Sequence, residues 1–129
     1  DYQGALKSLA EIMKNPFSSG KEALPLRCKP CAEGASPLSK EDINRLLATS
    51  YGWELIEDKK ISKSFKFKDF GEAKYFFDLI SIIAEEQGHH PNLTLIYNML
   101  KITLSTHAAG GLTDNDFIMA KIINELSGE

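Results

Sequence analysis

The sequence has few of the residues that form disulfides and metal sites, and it has no long apolar run. Its 129 residues include two cysteines, three histidines and one tryptophan. No stretch approaches the roughly 18 consecutive apolar residues of a transmembrane helix. Basic residues number 15 against 18 acidic ones, a net charge of −3 with neutral histidines, whereas nucleic-acid binders usually carry a strongly basic face. We therefore expect a cytoplasmic protein, with an organelle left open, that binds neither membranes nor nucleic acids directly.

The overall composition is that of a folded domain. Hydrophobic residues make up 43% and charged residues 26% of the chain, which is ordinary globular usage. The pattern changes near residue 37. Residues 1–36 contain several turn clusters, one predicted helix over 5–14 and a Cys28-x-x-Cys31 motif, and we interpret them as an N-terminal extension. Residues 37–129 are predicted to form the main domain.

The regular pattern after residue 36 predicts three helices and four strands. Ser39 and Asp42 have the spacing of a capping box, and Gly52 follows this first helix. Apolar residues at helical spacing predict a second helix over 71–87, and Thr113 precedes the third. The predicted strands are 53–57, 61–68, 93–100 and 102–106. The order helix-strand-strand-helix-strand-strand-helix indicates an α+β fold, with a four-stranded antiparallel sheet and the helices packed on one face.

The predicted helix 71–87 carries more apolar surface than one sheet requires. Its main apolar stripe includes Phe76, Ile80 and Ile83. A second stripe consists of Tyr75, Leu79 and Ile82. A helix in a small domain needs one apolar face for its own sheet. We therefore expect the second stripe to contact another subunit, or else the N-terminal extension.

All three histidines fall within nineteen positions, at predicted strand ends. Pro91 favours an extended conformation at His90. Side chains of neighbouring extended residues point apart, so His89 and His90 are expected to have different roles. His107 precedes the small residues 108–111, which leave room for a flat ligand near the backbone. Three interpretations stay open: surface histidines without a shared role, a three-histidine zinc site, and acid–base catalysis without a metal.

Two carboxylates and two cysteines have structural explanations of their own. Asp116 stands at the capping-box position after Thr113, which explains it without any chemistry. Glu85 lies one helical turn before His89, so it either belongs to a solvated helix face or orients a histidine. The Cys28-x-x-Cys31 motif is half of a metal site or a redox pair. Two thiols, or a disulfide of no catalytic importance, is the interpretation we favour.

A longer signature joins these residues. It consists of an acidic residue, three residues, His-His-Pro, five residues, an aromatic residue, nine residues, His, eight residues and Asp. Those positions are occupied here by Glu85, His89, His90, Pro91, Tyr97, His107 and Asp116. The signature resembles that of the pterin-4a-carbinolamine dehydratases, and the resemblance covers about residues 38–126.

The resemblance implies a reaction and the residues that perform it. In that reaction 4a-hydroxytetrahydropterin loses water to give quinonoid dihydropterin, which recycles a tetrahydrobiopterin-type cofactor. The elimination needs a base for the N5 proton and an acid for the departing C4a hydroxyl, but no metal or other cofactor. By resemblance, His89 and His107 share the acid–base work and His90 positions the substrate. The catalytic set is His89, His90, His107 and Asp116, and the substrate-binding set is Glu85, Pro91, Ser105 and Thr106.

The resemblance also implies partners for the chain. Besides the pterin substrate, we expect a second copy of the chain, in a homodimer or homotetramer built through sheet edges and helices. The alternative is a non-catalytic dimerisation or assembly cofactor, because relatives assist a homeodomain transcription factor or Rubisco assembly. The complete set of histidines and Asp116 favours the enzyme, since a pure scaffold does not need them.

Overall fold

The computed structural model describes Cys28 and residues 36–128. The predicted helix over 5–14 and Cys31 lie outside the described residues, and the division of the chain at residue 37 stays a prediction. The elements, in chain order, are α1 (Lys40–Leu47), β1 (Glu54–Ile56), β2 (Lys60–Lys66), α2 (Phe70–Gln87), β3 (Asn92–Ile96), β4 (Met99–Leu104), a 3-10 helix (His107–Ala109) and α3 (Asp114–Ser127). This order confirms the predicted α+β class.

Local sequence sets the ends of the helices. The Ser39 hydroxyl accepts from the Asp42 N–H at 3.2 Å and begins α1. The Asp69 carboxylate accepts from the Glu72 N–H at 2.9 Å and begins α2. Gly88 ends α2 in the left-handed region, at φ 66°, where a glycine pays no steric penalty. The chain therefore turns out of α2 immediately before His89.

Four antiparallel strands form one sheet in the order β1-β2-β4-β3. The two hairpins join through β2 and β4, where Ile61 lies opposite Leu104 and Phe65 opposite Leu100. Side chains alternate between the two faces of the sheet. One face is buried beneath the helices, with Ile61, Leu100, Ile102 and Leu104 inaccessible to solvent. The helices therefore cover one face of the sheet, as predicted, and β1 and β3 are its edges.

The structure corrects the predicted strand boundaries. The apolar run 93–100 predicted one continuous strand, but β3 ends at Ile96 and β4 begins at Met99. Tyr97 adopts a positive φ of 49°, and Ile96 pairs with Met99 across a two-residue turn. Asn98 fixes this turn to the end of β2, because its side-chain amide donates to the Phe67 carbonyl at 3.0 Å. The apolar pattern does not indicate this turn, because Tyr97 and Met99 are residue types that also favour strands.

The second apolar stripe of α2 is partly used within the subunit. Leu79 is 5% exposed and belongs to the hydrophobic core, so it needs no outside partner. Tyr75 and Ile82 are half-buried against that core.

In the part of the chain that the structure describes, no helix is long and apolar enough to cross a membrane.

Candidate active site

A cavity of about 230 Å³ lies where the end of β4 meets the β1–β2 hairpin. Its lining residues are Lys59, Lys60, Ser105, Thr106, His107, Gly110 and Gly111. Of the three histidines, His107 lines this cavity, and His89 and His90 do not. The cavity is smaller than the pockets of about 300–1,000 Å³ that enclose drug-sized ligands, so it suits part of a small bicyclic molecule.

His89 reaches this region through a buried carboxylate. Its Nε2 lies 2.6 Å from Oδ1 of Asp116, which is fully buried. The other oxygen of Asp116 accepts from the Thr106 hydroxyl at 2.8 Å and from the Thr113 N–H at 3.0 Å. Thr106 immediately precedes His107 in the chain. Asp116 thus ties His89 to the strand end that carries His107.

The same contacts show that Asp116 has two roles at once. Thr113 and Asp116 form the capping box at the start of α3, which the spacing predicted. The N-terminal end of a helix also stabilises a negative charge. A buried carboxylate must be hydrogen-bonded, and three donors surround this one. The cap therefore holds Asp116 in place for the contact with His89.

His90 occupies a different environment from His89. Its Nε2 contacts the Glu85 carboxylate, and 61% of the His90 side chain is exposed. The structure thus separates the two adjacent histidines, as the extended conformation before Pro91 predicted. The sequence left open which histidine Glu85 would orient. In the structure Glu85 contacts His90 and not His89. Pro91 is half-buried between this pair and the start of β3.

The loop after β4 presents His107 to solvent. His107 begins the short 3-10 helix and is exposed, whereas the Thr106 side chain is buried. The Thr106 N–H donates to the Gly111 carbonyl at 2.8 Å, so this backbone donor is occupied within the loop. The Thr106 hydroxyl donates to Asp116 instead, and Ser105 lines the cavity beside it.

Cys28 lies close to the buried end of this network. Its N–H donates to Oε1 of Gln87 at 2.8 Å, and its Sγ lies 3.6 Å from the carbonyl of Asn115. Asn115 is the neighbour of Asp116 in α3. Among Cys28 and residues 36–128, no three His, Cys, Asp or Glu side chains are grouped as a metal site requires. Cys28 thus packs against the junction of α2 and α3.

The sequence did not predict Lys59 and Lys60 as part of this cavity. They belong to the β1–β2 hairpin and lie between the predicted strands 53–57 and 61–68. Lys60 begins β2, and the next pair along the ladder is Ile61 with Leu104, which brings the hairpin beside Ser105. No residue pattern reveals this proximity, because it depends on the pairing of β2 with β4.

Comparisons with known proteins agree with the sequence signature. The family model described as pterin 4 alpha carbinolamine dehydratase matches residues 36–126. A chain of Alkaliphilus metalliredigens assigned by name to these dehydratases is 38% identical over 104 residues, which cover 80% of this chain and 94% of that one. The mitochondrial pterin-4-alpha-carbinolamine dehydratase 2 of Arabidopsis thaliana is 42% identical over 108 residues, 80% of this chain and 58% of that one.

A solved structure extends the agreement to the fold. The crystal structure of a transcriptional coactivator/pterin dehydratase from Brucella melitensis superposes with a TM-score of 0.69 at 35% identity. The match covers 72% of this chain and all of that one. Because the family model spans well over half of the sequence, the chain belongs to the pterin 4 alpha carbinolamine dehydratase family.

Proposed function

We propose that this chain dehydrates a 4a-hydroxytetrahydropterin to quinonoid dihydropterin and water by histidine acid–base catalysis. The observation that carries the proposal is the Asp116 carboxylate, which contacts His89 at 2.6 Å and Thr106 at 2.8 Å beside the cavity-lining His107. Membership of the dehydratase family supports the substrate class.

The reaction requires one proton to leave and one to arrive. A base removes the N5 proton, and the N5–H electron pair becomes the second bond between N5 and C4a. The C4a–O bond breaks with its electrons on oxygen, and an acid protonates this oxygen to release water. Imidazole suits both steps because it gains and loses protons near neutral pH. We assign these two steps to His89 and His107.

Asp116 determines which nitrogen of His89 takes part. Its Oδ2 already accepts from Thr106 and Thr113, and its Oδ1 is the acceptor for His89 Nε2–H. This contact places a proton on Nε2 and leaves Nδ1 to exchange a proton with the substrate.

We assign substrate positioning to the exposed residues around these two histidines. His90 and Glu85 contact each other near the surface, with 61% and 78% of their side chains exposed. Together with Pro91 they form a polar edge after α2, suited to hydrogen bonds with the nitrogen-rich pterin ring. Ser105 and Thr106 line the cavity on the β4 side and complete the proposed substrate-binding set.

A stopped-flow comparison of three histidine variants tests this division of roles. We expect His89→Ala and His107→Ala each to lower kcat by about 10²- to 10⁴-fold, the range for loss of a positioned acid or base. His90→Ala should instead raise KM more than it lowers kcat, because its role is positioning. Circular dichroism melts of each variant establish that it is folded.

The outcome distinguishes the enzyme from the assembly cofactor. If the wild-type chain accelerates carbinolamine decay and both catalytic variants lose the acceleration, the proposal stands. If all three variants retain the wild-type rate, the site assignment is wrong. If the wild-type chain itself gives no acceleration over buffer, a non-catalytic assembly role replaces the enzymatic one.

We also propose that the chain acts as a homodimer or homotetramer. Tyr75 and Ile82 of α2 are only half-buried within the subunit, and Ile96 on the edge strand β3 is 65% exposed. Edge strands present unpaired backbone groups to a second chain. Light scattering should give a mass of two or four chains, and Ile82→Asp should lower it. A monomer at micromolar concentration would contradict the proposal.

A further inference from the structure

Two lysines at the rim of the cavity have no part in the dehydration chemistry. Lys59 and Lys60 line the same cavity as His107 and Ser105, and both are exposed. Lys59 belongs to the β1–β2 turn and Lys60 begins β2, whereas His107 begins the 3-10 helix. Long flexible lysine side chains keep their ammonium groups in water and reach several ångströms beyond the backbone.

The cavity lining includes Lys59 and Lys60 but no carboxylate. Of the two acids in the same turn, Asp58 pairs with Lys40 of α1, and Glu57 does not line the cavity. Another exposed lysine, Lys74, likewise has an acidic partner, Asp78 of the same helix. Within residues 36–128, neither Lys59 nor Lys60 forms an ion pair, so both ammonium groups at the cavity are available to a ligand in a chain that is acidic overall.

We infer that Lys59 and Lys60 bind an anionic group on the side chain of the pterin substrate. The inference rests on the proposed function, which places the pterin ring beside His107. A ring in that position leaves its side chain directed towards the rim, within reach of both ammonium groups. The group is a carboxylate or a phosphate, because both are anions that lysine recognises as a point charge.

Calorimetric titration with three stable dihydropterins tests the inference. The probes are 7,8-dihydrobiopterin with a neutral side chain, 7,8-dihydrofolate with carboxylates, and 7,8-dihydroneopterin phosphate. The measured quantity is each anionic probe's affinity relative to that of the neutral probe. For the Lys59→Met/Lys60→Met double variant, this ratio should fall by about two- to thirtyfold, as expected for losing two exposed ion pairs. A loss for one anionic probe alone supports the inference and identifies the anion.

Lys66→Met is the matched control for this experiment. Lys66 is an exposed lysine of the same strand, and it lies opposite Met99. Met99 and Ser105 are six positions apart along extended chain, a distance of about 20 Å. The control should leave the affinity ratio unchanged, and raising the salt concentration should reduce the wild-type preference for anions.

Two results would overturn the inference. One is an unchanged ratio in the double variant, and the other is an equal fall in Lys66→Met, which would indicate general surface charge. Dehydration of a neutral carbinolamine by the wild-type chain is measured separately. An active dehydratase with an unchanged ratio therefore disproves the lysine assignment alone, whereas a wild-type chain that neither binds the pterins nor accelerates dehydration disproves both proposals.

Discussion

Replacing Asp116 with asparagine probes the centre of the site with the smallest change of shape. Asparagine keeps one oxygen, which can still accept from Thr106 and Thr113. The amide nitrogen then faces Nε2 of His89 at a position where the carboxylate now lies 2.6 Å away. To keep that hydrogen bond, His89 must accept at Nε2, carry its proton on Nδ1 and stay neutral. The substitution therefore reverses the polarity of the contact that orients the histidine.

The expected cost in stability is moderate. A hydrogen bond to a charged group contributes about 1.5–3 kcal/mol and a neutral one about 0.5–1.5 kcal/mol, so each of the three contacts loses about 1 kcal/mol. Relief from burying a charge offsets part of this loss. We expect the free energy of unfolding to fall by about 1–3 kcal/mol, which leaves a typical domain folded at room temperature.

The expected cost in activity is much larger. A neutral His89 with the proton on Nδ1 no longer offers Nδ1 as a base, and it cannot become an imidazolium without losing its partner. We expect kcat for dehydration to fall by about 10²- to 10⁴-fold. Urea denaturation and stopped-flow kinetics on the same preparation separate the two effects.

Two threonines provide a matched comparison for this experiment. Thr106→Val removes the hydroxyl that donates to Asp116 and should lower kcat. Thr103→Val makes the same chemical change on the open face of the sheet, where the hydroxyl lies 3.2 Å from that of Ser62, and should leave kcat unchanged. If Asp116→Asn kept the wild-type kcat while remaining folded, the proposed coupling of Asp116 to His89 would be refuted.

Two further predictions concern stability. Asn124→Ala removes the oxygen that accepts from Lys63 Nζ at 2.9 Å and from Trp53 Nε1 at 3.1 Å. Urea denaturation should show that the free energy of unfolding falls by about 2–4 kcal/mol. A fall of less than about 0.5 kcal/mol would contradict the importance of this buried network. Gly52→Ala should lower the melting temperature more than Gly88→Ala. Both glycines have positive φ, but a Cβ at Gly52 would lie 2.7 Å from the Lys63 side chain, whereas a Cβ at Gly88 would have no neighbouring atom within 4 Å. Equal losses would show that Lys63 moves aside without cost.

Local sequence signals predicted the helices well because their causes are local. Ser39 and Thr113 mark the starts of α1 and α3, and apolar residues at helical spacing from Ala73 to Ala84 predicted α2. The break at Tyr97 was missed because a positive φ at tyrosine has no sequence pattern of its own. Its stabilising contact, from Asn98 to Phe67, joins residues 31 positions apart.

The candidate site was predictable only where the signature named its members. The resemblance to the family signature implies His89, His107 and Asp116, and the structure adds that Asp116 contacts His89 and Thr106 directly. Charge and periodicity gave no indication of Lys59 and Lys60. Their proximity to His107 depends on which strands pair, and this long-range property of the sheet is not encoded in any single segment.

The most direct test of the central claim is the decay rate of a 4a-hydroxytetrahydropterin in stopped-flow, with increasing concentrations of the wild-type chain. The account predicts that the rate rises in proportion to protein concentration at low concentration. It also predicts that the same concentration of folded Asp116→Asn protein, used in place of the wild-type chain, gives only a small fraction of this increase in rate. A decay rate equal to that in buffer at every concentration of wild-type protein would contradict the account.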